Sequence, residues 1–203
     1  MTTIKNFTWM LLTVAALASL AFAGGVKNGT QAPDFTLKNS AGEDVSLSDF
    51  SGKYVVLEWV NYDCPFVKKH YGAGNMQKLQ KKWTGKDVIW LAINSSAPGK
   101  QGAFSGEELT KRMAKEGGQQ THYLLDPSGD VGKKYAAKTT PHMYVVDPKG
   151  NLIYQGAIDD KPSTDPTDIA GAKNYVKMAL KAAKNGKAVD PAKTDPYGCS
   201  VKY

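Results

Sequence analysis

The stretch Tyr54–Lys69, YVVLEWVNYDCPFVKK, is the one from which the rest of the chain is best read. Tyr54–Trp59 is a run of apolar and β-branched residues bounded by Gly52-Lys53 and by a polar loop, which predicts a buried β-strand. Cys64 follows that loop and Pro65 follows Cys64. Proline suits the first position of a helix, where no backbone N–H is needed and its fixed φ fits the turn. Cys64 is therefore expected at a helix N-terminus, among unpaired N–H groups and the positive end of the helix dipole. Both features favour a thiolate. Lys68 and Lys69, one turn on, would add positive potential if they face the same side. A small buried hydrophobe is the other reading of such a cysteine.

Working outward, Gly29–Leu37 is an extended lead-in whose Pro33 assigns it to an edge or hairpin rather than a central strand. Helical sequence runs from Cys64 to about Lys82, with a break expected at Gly72-Ala73-Gly74. Val88–Asn94 (VIWLAIN) is a second buried strand. Ser105-x-x-Glu108 reads as a capping box opening a helix that ends at Gly117-Gly118. His122–Leu125 is a short strand, 126–129 a turn, and 130–137 one or two helical turns. Met143–Val146 and Leu152–Ile158 are strands joined by the turn-rich segment Asp147–Asn151. A last helix is expected over Asp168–Lys184, with Ile169, Ala172, Val176, Ala179 and Ala183 on one face and Asn185-Gly186 as its stop. This order gives an α/β fold, a central mixed β-sheet flanked by helices. Reactive groups in such sheets gather beyond the carboxyl ends of the parallel strands, where Cys64 lies.

The chain has 203 residues, 41% of them hydrophobic, enough for one domain with a core. Residues 1–23 read as a cleaved signal peptide. Lys5 precedes the apolar run Trp9–Ala23, which closes on Ala21-Phe22-Ala23 and falls short of the roughly 20 residues of a membrane span. The expectation is an exported protein, periplasmic or secreted, with no stable membrane insertion after cleavage. The domain then covers 24–186, and 187–203 is a polar, proline-containing tail that carries Cys199. The formal net charge of +7 comes from scattered lysines rather than one basic run, which argues against nucleic acid as a partner. Two cysteines in an oxidising compartment form either a structural staple, worth about 4–5 kcal/mol in the chain-entropy model, or a reactive thiol with a resolving partner. His70, His122 and His142 show no ligand spacing, so no metal and no cofactor is expected. His70 reads as an exposed helix residue.

Four stretches in order carry a resemblance over about Gly29–Tyr203: Ala32-Pro33-Asp34-Phe35, Trp59–Pro65, Thr139-Thr140-Pro141, and Tyr197–Tyr203. Together they resemble the thioredoxin superfamily, in particular its peroxiredoxin-like redoxin branch (alkyl hydroperoxide reductase / thiol-specific antioxidant). The resemblance implies a thioredoxin-like fold, with Thr140-Pro141 forming a cis-proline loop beside the reactive cysteine. The hairpin geometry adds to it without reference to the family. If the strand from Met143 begins beside Cys64, its antiparallel partner must deliver Ile158–Pro162 to the same end. Asp159 or Asp160 would then relay a proton or cap the following turn, with Trp59 and Pro65 as further substrate-facing positions. His142, directly after Pro141, is placed to approach Cys64.

The sequence also departs from its family. Val67 stands where a C-x-x-C reductase would have its second cysteine. Asn61 and Leu57 replace the threonine and proline with which peroxiredoxins orient peroxide. The single arginine, Arg112, falls in the capped helix rather than at the family's usual site. The chemistry implied is nucleophilic attack by the Cys64 thiolate on a peroxide or a disulfide. Cys199, brought up by local unfolding of a mobile tail, would resolve the product, and an external thioredoxin-like thiol reductant would reset the pair. Three functions follow: a peroxiredoxin-like antioxidant, a thiol-disulfide oxidoreductase, and a non-catalytic binding module with a structural disulfide.

Overall fold

The computed structural model describes residues 25–203; the leader expected over 1–23 lies outside them. In chain order the elements are β1 (Thr36–Asn39), β2 (Asp44–Ser46), β3 (Tyr54–Trp59), α1 (Pro65–Gly72), α2 (Asn75–Thr84), β4 (Val88–Asn94) and α3 (Gly106–Glu116). They continue with β5 (His122–Leu125), α4 (Asp130–Tyr135), β6 (Thr139–Thr140), β7 (His142–Val146), β8 (Leu152–Gly156), α5 (Tyr175–Lys184) and β9 (Cys199–Ser200). Seven strands make one mixed sheet in the order β2-β1-β5-β4-β3-β7-β8. β3, β4 and β5 run parallel; the other pairings are antiparallel. Among the described residues no helix is long and apolar enough to cross a membrane.

The period-two alternation of a strand sorts β3 between two cores. Val55, Leu57 and Trp59 join the cluster that holds Phe35, Tyr135 and Tyr144. Val56 faces the other way, into the cluster that holds Cys64, Val67, Tyr71 and Trp83 beneath α1 and α2. Each large apolar side chain sealed in this way contributes about 1.5–3 kcal/mol. Glu58 shares the helical face and is fully buried. It accepts hydrogen bonds from Tyr71 Oη at 3.0 Å, Gln80 Nε2 at 3.1 Å and Trp90 Nε1 at 2.7 Å, and burial raises its pKa to about 7. The α1–α2 break falls where the glycines place it, with Gly74 at φ 67°.

Three expectations change. The final helix is shorter than Asp168–Lys184: a 3-10 turn over Pro166–Gly171 precedes it, and α5 starts at Tyr175. The Asn174 side chain accepts from Lys177 N, and Tyr175 N is spent on Ile158 O, so a new N-terminus is set there. The buried residues of α5 are Val176, Ala179 and Leu180 rather than a face beginning at Ile169. Second, Ser105 precedes α3 but makes no side-chain cap; Gly106 takes φ 52°, which departs from helical geometry at the first turn.

Third, the tail is laid onto the domain rather than hanging free of it. Gln155 N–H and C=O bond to Ala192 O and Thr194 N, which covers the open edge of β8. β9 then pairs with β6, Thr140 opposite Cys199. Val201 N donates to Lys138 O at 3.1 Å, and Ala97 N to Lys202 O at 2.7 Å.

Candidate active site

Cys64 is the N-cap of α1 with Pro65 at N1, the arrangement its sequence predicts. The strand β3 and the Asn61–Asp63 turn carry it there. Asn61 Oδ1 accepts from Asp63 N at 2.9 Å, and Cys64 N donates to Asn61 O at 3.0 Å. The Cys64 Sγ–H donates to Thr140 O at 3.0 Å across the cis Thr140–Pro141 bond. The Cys199 thiol lies against it as well, delivered by the β6–β9 pairing, and both thiols are free. Cys64 has no solvent-exposed surface, and the segment lying over it is this half-buried tail.

The two sulfurs are pushed in opposite directions. Burial opposes ionisation of Cys64. The Cys199 thiol beside it, then the Thr140 side chain and the backbone N–H groups of Cys199 and Val67, outweigh burial, leaving the Cys64 thiol below its ordinary range. Cys199 is pushed up to about 11, first by burial and then by sharing its proton with, and lying beside, the Cys64 sulfur. The two thiols titrate as one pair, with ionisation favoured at Cys64 and opposed at Cys199.

Around this pair the predicted residues separate. Asp159 lies against the tail at Tyr197, two residues before Cys199. It is buried, caps the turn by accepting from Lys161 N at 3.0 Å, and accepts from Tyr197 Oη at 2.5 Å. Asp160 sits further out and accepts from Lys173 N. Pro65 is exposed and, with Lys68, Lys69, Thr164 and Pro166, lines a cleft of about 420 Å³ at the mouth of α1. Lys69 points its ammonium at Lys161 O, 2.8 Å away. A more enclosed cavity of about 430 Å³ lies at the far end of β3, against Val55 and Val146, away from the sulfurs.

Trp59 is a core residue instead of a substrate-facing one. It is fully buried on the opposite face of the sheet from Cys64, its indole N–H on Ser95 Oγ at 3.0 Å. The Asn61 amide is already engaged with Gln101 O and Asp63 N. His142 is buried, accepts Lys138 N–H on Nδ1, stacks on Tyr144 at 4.5 Å, and is held by burial down to about 3. It braces the loop before Pro141 as a neutral ring rather than serving as a base near neutral pH.

Two groups were missed by reading the sequence alone. His70 was expected to be exposed but is fully buried, and burial lowers its pKa to about 4, so it is neutral beside Asp159. Arg112, remote in sequence, reaches back to Asp63 Oδ1 at 3.0 Å and lies 4.4 Å over the Phe104 ring, one residue from the reactive thiol. No local pattern marks either one. The signal for His70 is only its position three residues after the buried Val67 on α1.

Comparison with known proteins gives the chain's relatives and its family. The chain is 30% identical over 147 residues to the thioredoxin-like protein YneN of Bacillus subtilis, covering 71% of this chain and 81% of that one. It is 26% identical to the thiol-disulfide oxidoreductase ResA of Halalkalibacterium halodurans, over 73% and 85% of the two chains. It is 32% identical to the chloroplastic peroxiredoxin Q of Triticum aestivum, over 64% and 59%. A crystal structure from Geobacillus kaustophilus superposes with a TM-score of 0.72 at 31% identity, over 87% and 92%. The fold is thioredoxin-like, and the sequence model described as the AhpC/TSA family matches residues 28–155. With that match covering most of the chain, and a thioredoxin-like relative at 30% identity, the protein belongs to the AhpC/TSA family.

Proposed function

We propose that the protein is a thiol-disulfide oxidoreductase whose redox couple is Cys64 and Cys199. The observation that carries this reading is the juxtaposition of two free thiols with opposite pKa shifts at a helix N-terminus beside a cis-proline loop. The Cys64 thiolate attacks one sulfur of a substrate disulfide, forming a mixed disulfide and releasing the other half as a thiolate. Two of the influences holding the Cys199 proton, both owed to the Cys64 sulfur, change at that moment. Cys199 gives its proton to the first thiolate released, and the Cys199 thiolate so formed attacks Cys64 Sγ and expels the second substrate thiolate. The substrate gains two electrons and the Cys64–Cys199 disulfide forms. An external thioredoxin-like thiol reductant returns it to the dithiol.

A second reading, peroxide reduction, draws support from the peroxiredoxin relative and from Arg112 beside Asp63. Here Cys64 takes one peroxide oxygen to become a sulfenic acid and releases the alcohol or water. Cys199 then condenses with it, expelling water. Asn61 stands where peroxiredoxins carry a threonine and offers no hydroxyl there, its amide held in place by Gln101 O and Asp63 N, which favours the disulfide reading. We also infer export to a periplasmic or extracellular compartment from the leader sequence.

The test is intact-mass analysis of the reduced protein after oxidised glutathione or hydrogen peroxide. Wild type is expected to lose two hydrogens with either oxidant, and faster with the disulfide. Cys199→Ser stalls as a mixed disulfide or an oxygen adduct, and Cys64→Ser does not react. Inertness of the reduced wild type to both oxidants would leave the cysteines as a structural pair in a binding module.

A further inference from the structure

Four elements meet at the tail through one directed chain of hydrogen bonds. Asn75, the first residue of α2, donates Nδ2–H to His70 Nδ1 at 2.8 Å. Since Nδ1 accepts, the neutral ring carries its proton on Nε2. That Nε2 faces Tyr197 Oη at 3.4 Å and Asp159 Oδ2 at 3.9 Å. Tyr197 Oη in turn donates to Asp159 Oδ1 at 2.5 Å. Asp159 is itself fixed by Lys161 N and by the bridge from its segment to Asn174. The Tyr197 ring packs on Phe66, 5.8 Å away, with the Lys69 ammonium 5.9 Å from its centroid.

The mechanism above uses none of these groups, yet His70 and Asp159 are almost wholly buried. Their common target is a tyrosine two residues before Cys199. The residue between them is Gly198, at φ 141°, where a Cβ would collide with Thr140 O. Tyr197 thus grips the domain, Gly198 lets the backbone close onto the cis-proline loop, and Cys199 meets Cys64.

We propose that Tyr197 is the positioning residue of the resolving step, and that His70 and Asp159 form its socket. The inference rests on Cys64 and Cys199 acting as the redox couple. It replaces a tail that must find its partner by diffusion with one held in register before the first attack. Once Cys64 carries the substrate thiol, the anchor keeps Cys199 within reach, so the mixed disulfide is short-lived. Without the Tyr197 hydroxyl the first attack proceeds, and proceeds faster if the tail had shielded Cys64, while the second slows.

The experiment follows single-turnover reaction of the reduced full chain with oxidised glutathione, quenched in acid and weighed, beside hydrogen–deuterium exchange over residues 197–201. Tyr197→Phe is expected to lengthen the mixed-disulfide lifetime about tenfold or more, the cost of one strong hydrogen bond to a carboxylate, without slowing its formation. The same variant should lose amide protection at the tail. Asp159→Asn keeps an acceptor for the tyrosine and should restore most of the closure rate that Asp159→Ala loses. A purely structural role would not produce that split. Wild-type lifetime and protection in Tyr197→Phe would overturn the anchor. Absence of a Cys64–Cys199 disulfide in wild type would overturn the redox couple instead. In that case the exchange measurement still decides the anchor, lost protection supporting it and retained protection refuting it.

Discussion

Gly198 shows how much of the site depends on a single hydrogen atom. Its φ of 141° lies where side-chain-bearing residues rarely go, and the added Cβ would press on the Thr140 carbonyl that also receives the Cys64 thiol. Thr140 and the rest of the cis-proline loop cannot retreat, because His142 and the β3–β7 pairing fix them. Gly198→Ala should therefore lift the tail rather than bend the loop, at a cost of about 1–3 kcal/mol in docking. The expected result is faster alkylation of Cys64 by iodoacetamide, with the melting temperature of the domain little changed. An unaltered alkylation rate would mean that the tail does not shield the thiol.

Among the elements, α5 depends most visibly on one cap. The helix opens on Asn174, whose side chain satisfies Lys177 N, and the same residue bridges to Asp159. The end of α5 is thus tied to the loop that holds the Tyr197 socket, so helix and site share a fastening. Removing the cap with Asn174→Ala should cost about 1 kcal/mol of global stability, read by chemical denaturation. Asn174→Asp, which keeps an acceptor at the N-terminus, should recover most of that. Equal loss in both variants would show that the amide, and not the capping oxygen, matters. The β6–β9 pair is the opposite kind of element: two residues on each strand, with no stability of its own, placed wholly by what flanks it.

At the scale of the molecule, three buried titratable groups shape stability against pH. Glu58 has a folded pKa of about 7 against an ordinary value of 4.5, so the folded state holds its proton more tightly than the unfolded one. Its contribution is complete below about pH 4.5 and is lost as pH rises through 7, a swing of about 3 kcal/mol. His70 and His142 are depressed to about 4 and about 3 from 6.5 and act on the other flank. Their contribution is complete above pH 6.5 and is lost as pH falls through those values. With two histidines set against one carboxyl, stability from urea unfolding should climb from about pH 4 and level off near pH 7. Glu58→Gln should steepen that climb, gaining on wild type by about 3 kcal/mol between pH 4.5 and 7.5. A difference independent of pH would show that Glu58 is ionised in the folded protein at neutrality.

The order of elements and the strand-loop-Cys-Pro-helix unit were legible in the chain because each is a local matter, whereas the cis-proline loop came only from the family resemblance. Apolar alternation, a proline at N1 and paired glycines act within a few residues of themselves. So the mixed sheet and Cys64 at the head of α1 could be anticipated. What sits around the sulfur could not. Trp59 differs from a substrate-facing residue only in which face of β3 it takes. His70 is buried because its face of α1 packs against Asp159 and Tyr197, and Arg112 returns to Asp63 from another helix. The tail shows the limit most clearly: polar and proline-containing, it has no hydrophobic period to announce a docked state. It is held by the β8 edge, the β6 backbone and the Asp159 carboxylate, groups far from it in sequence that only the folded chain brings within hydrogen-bonding distance.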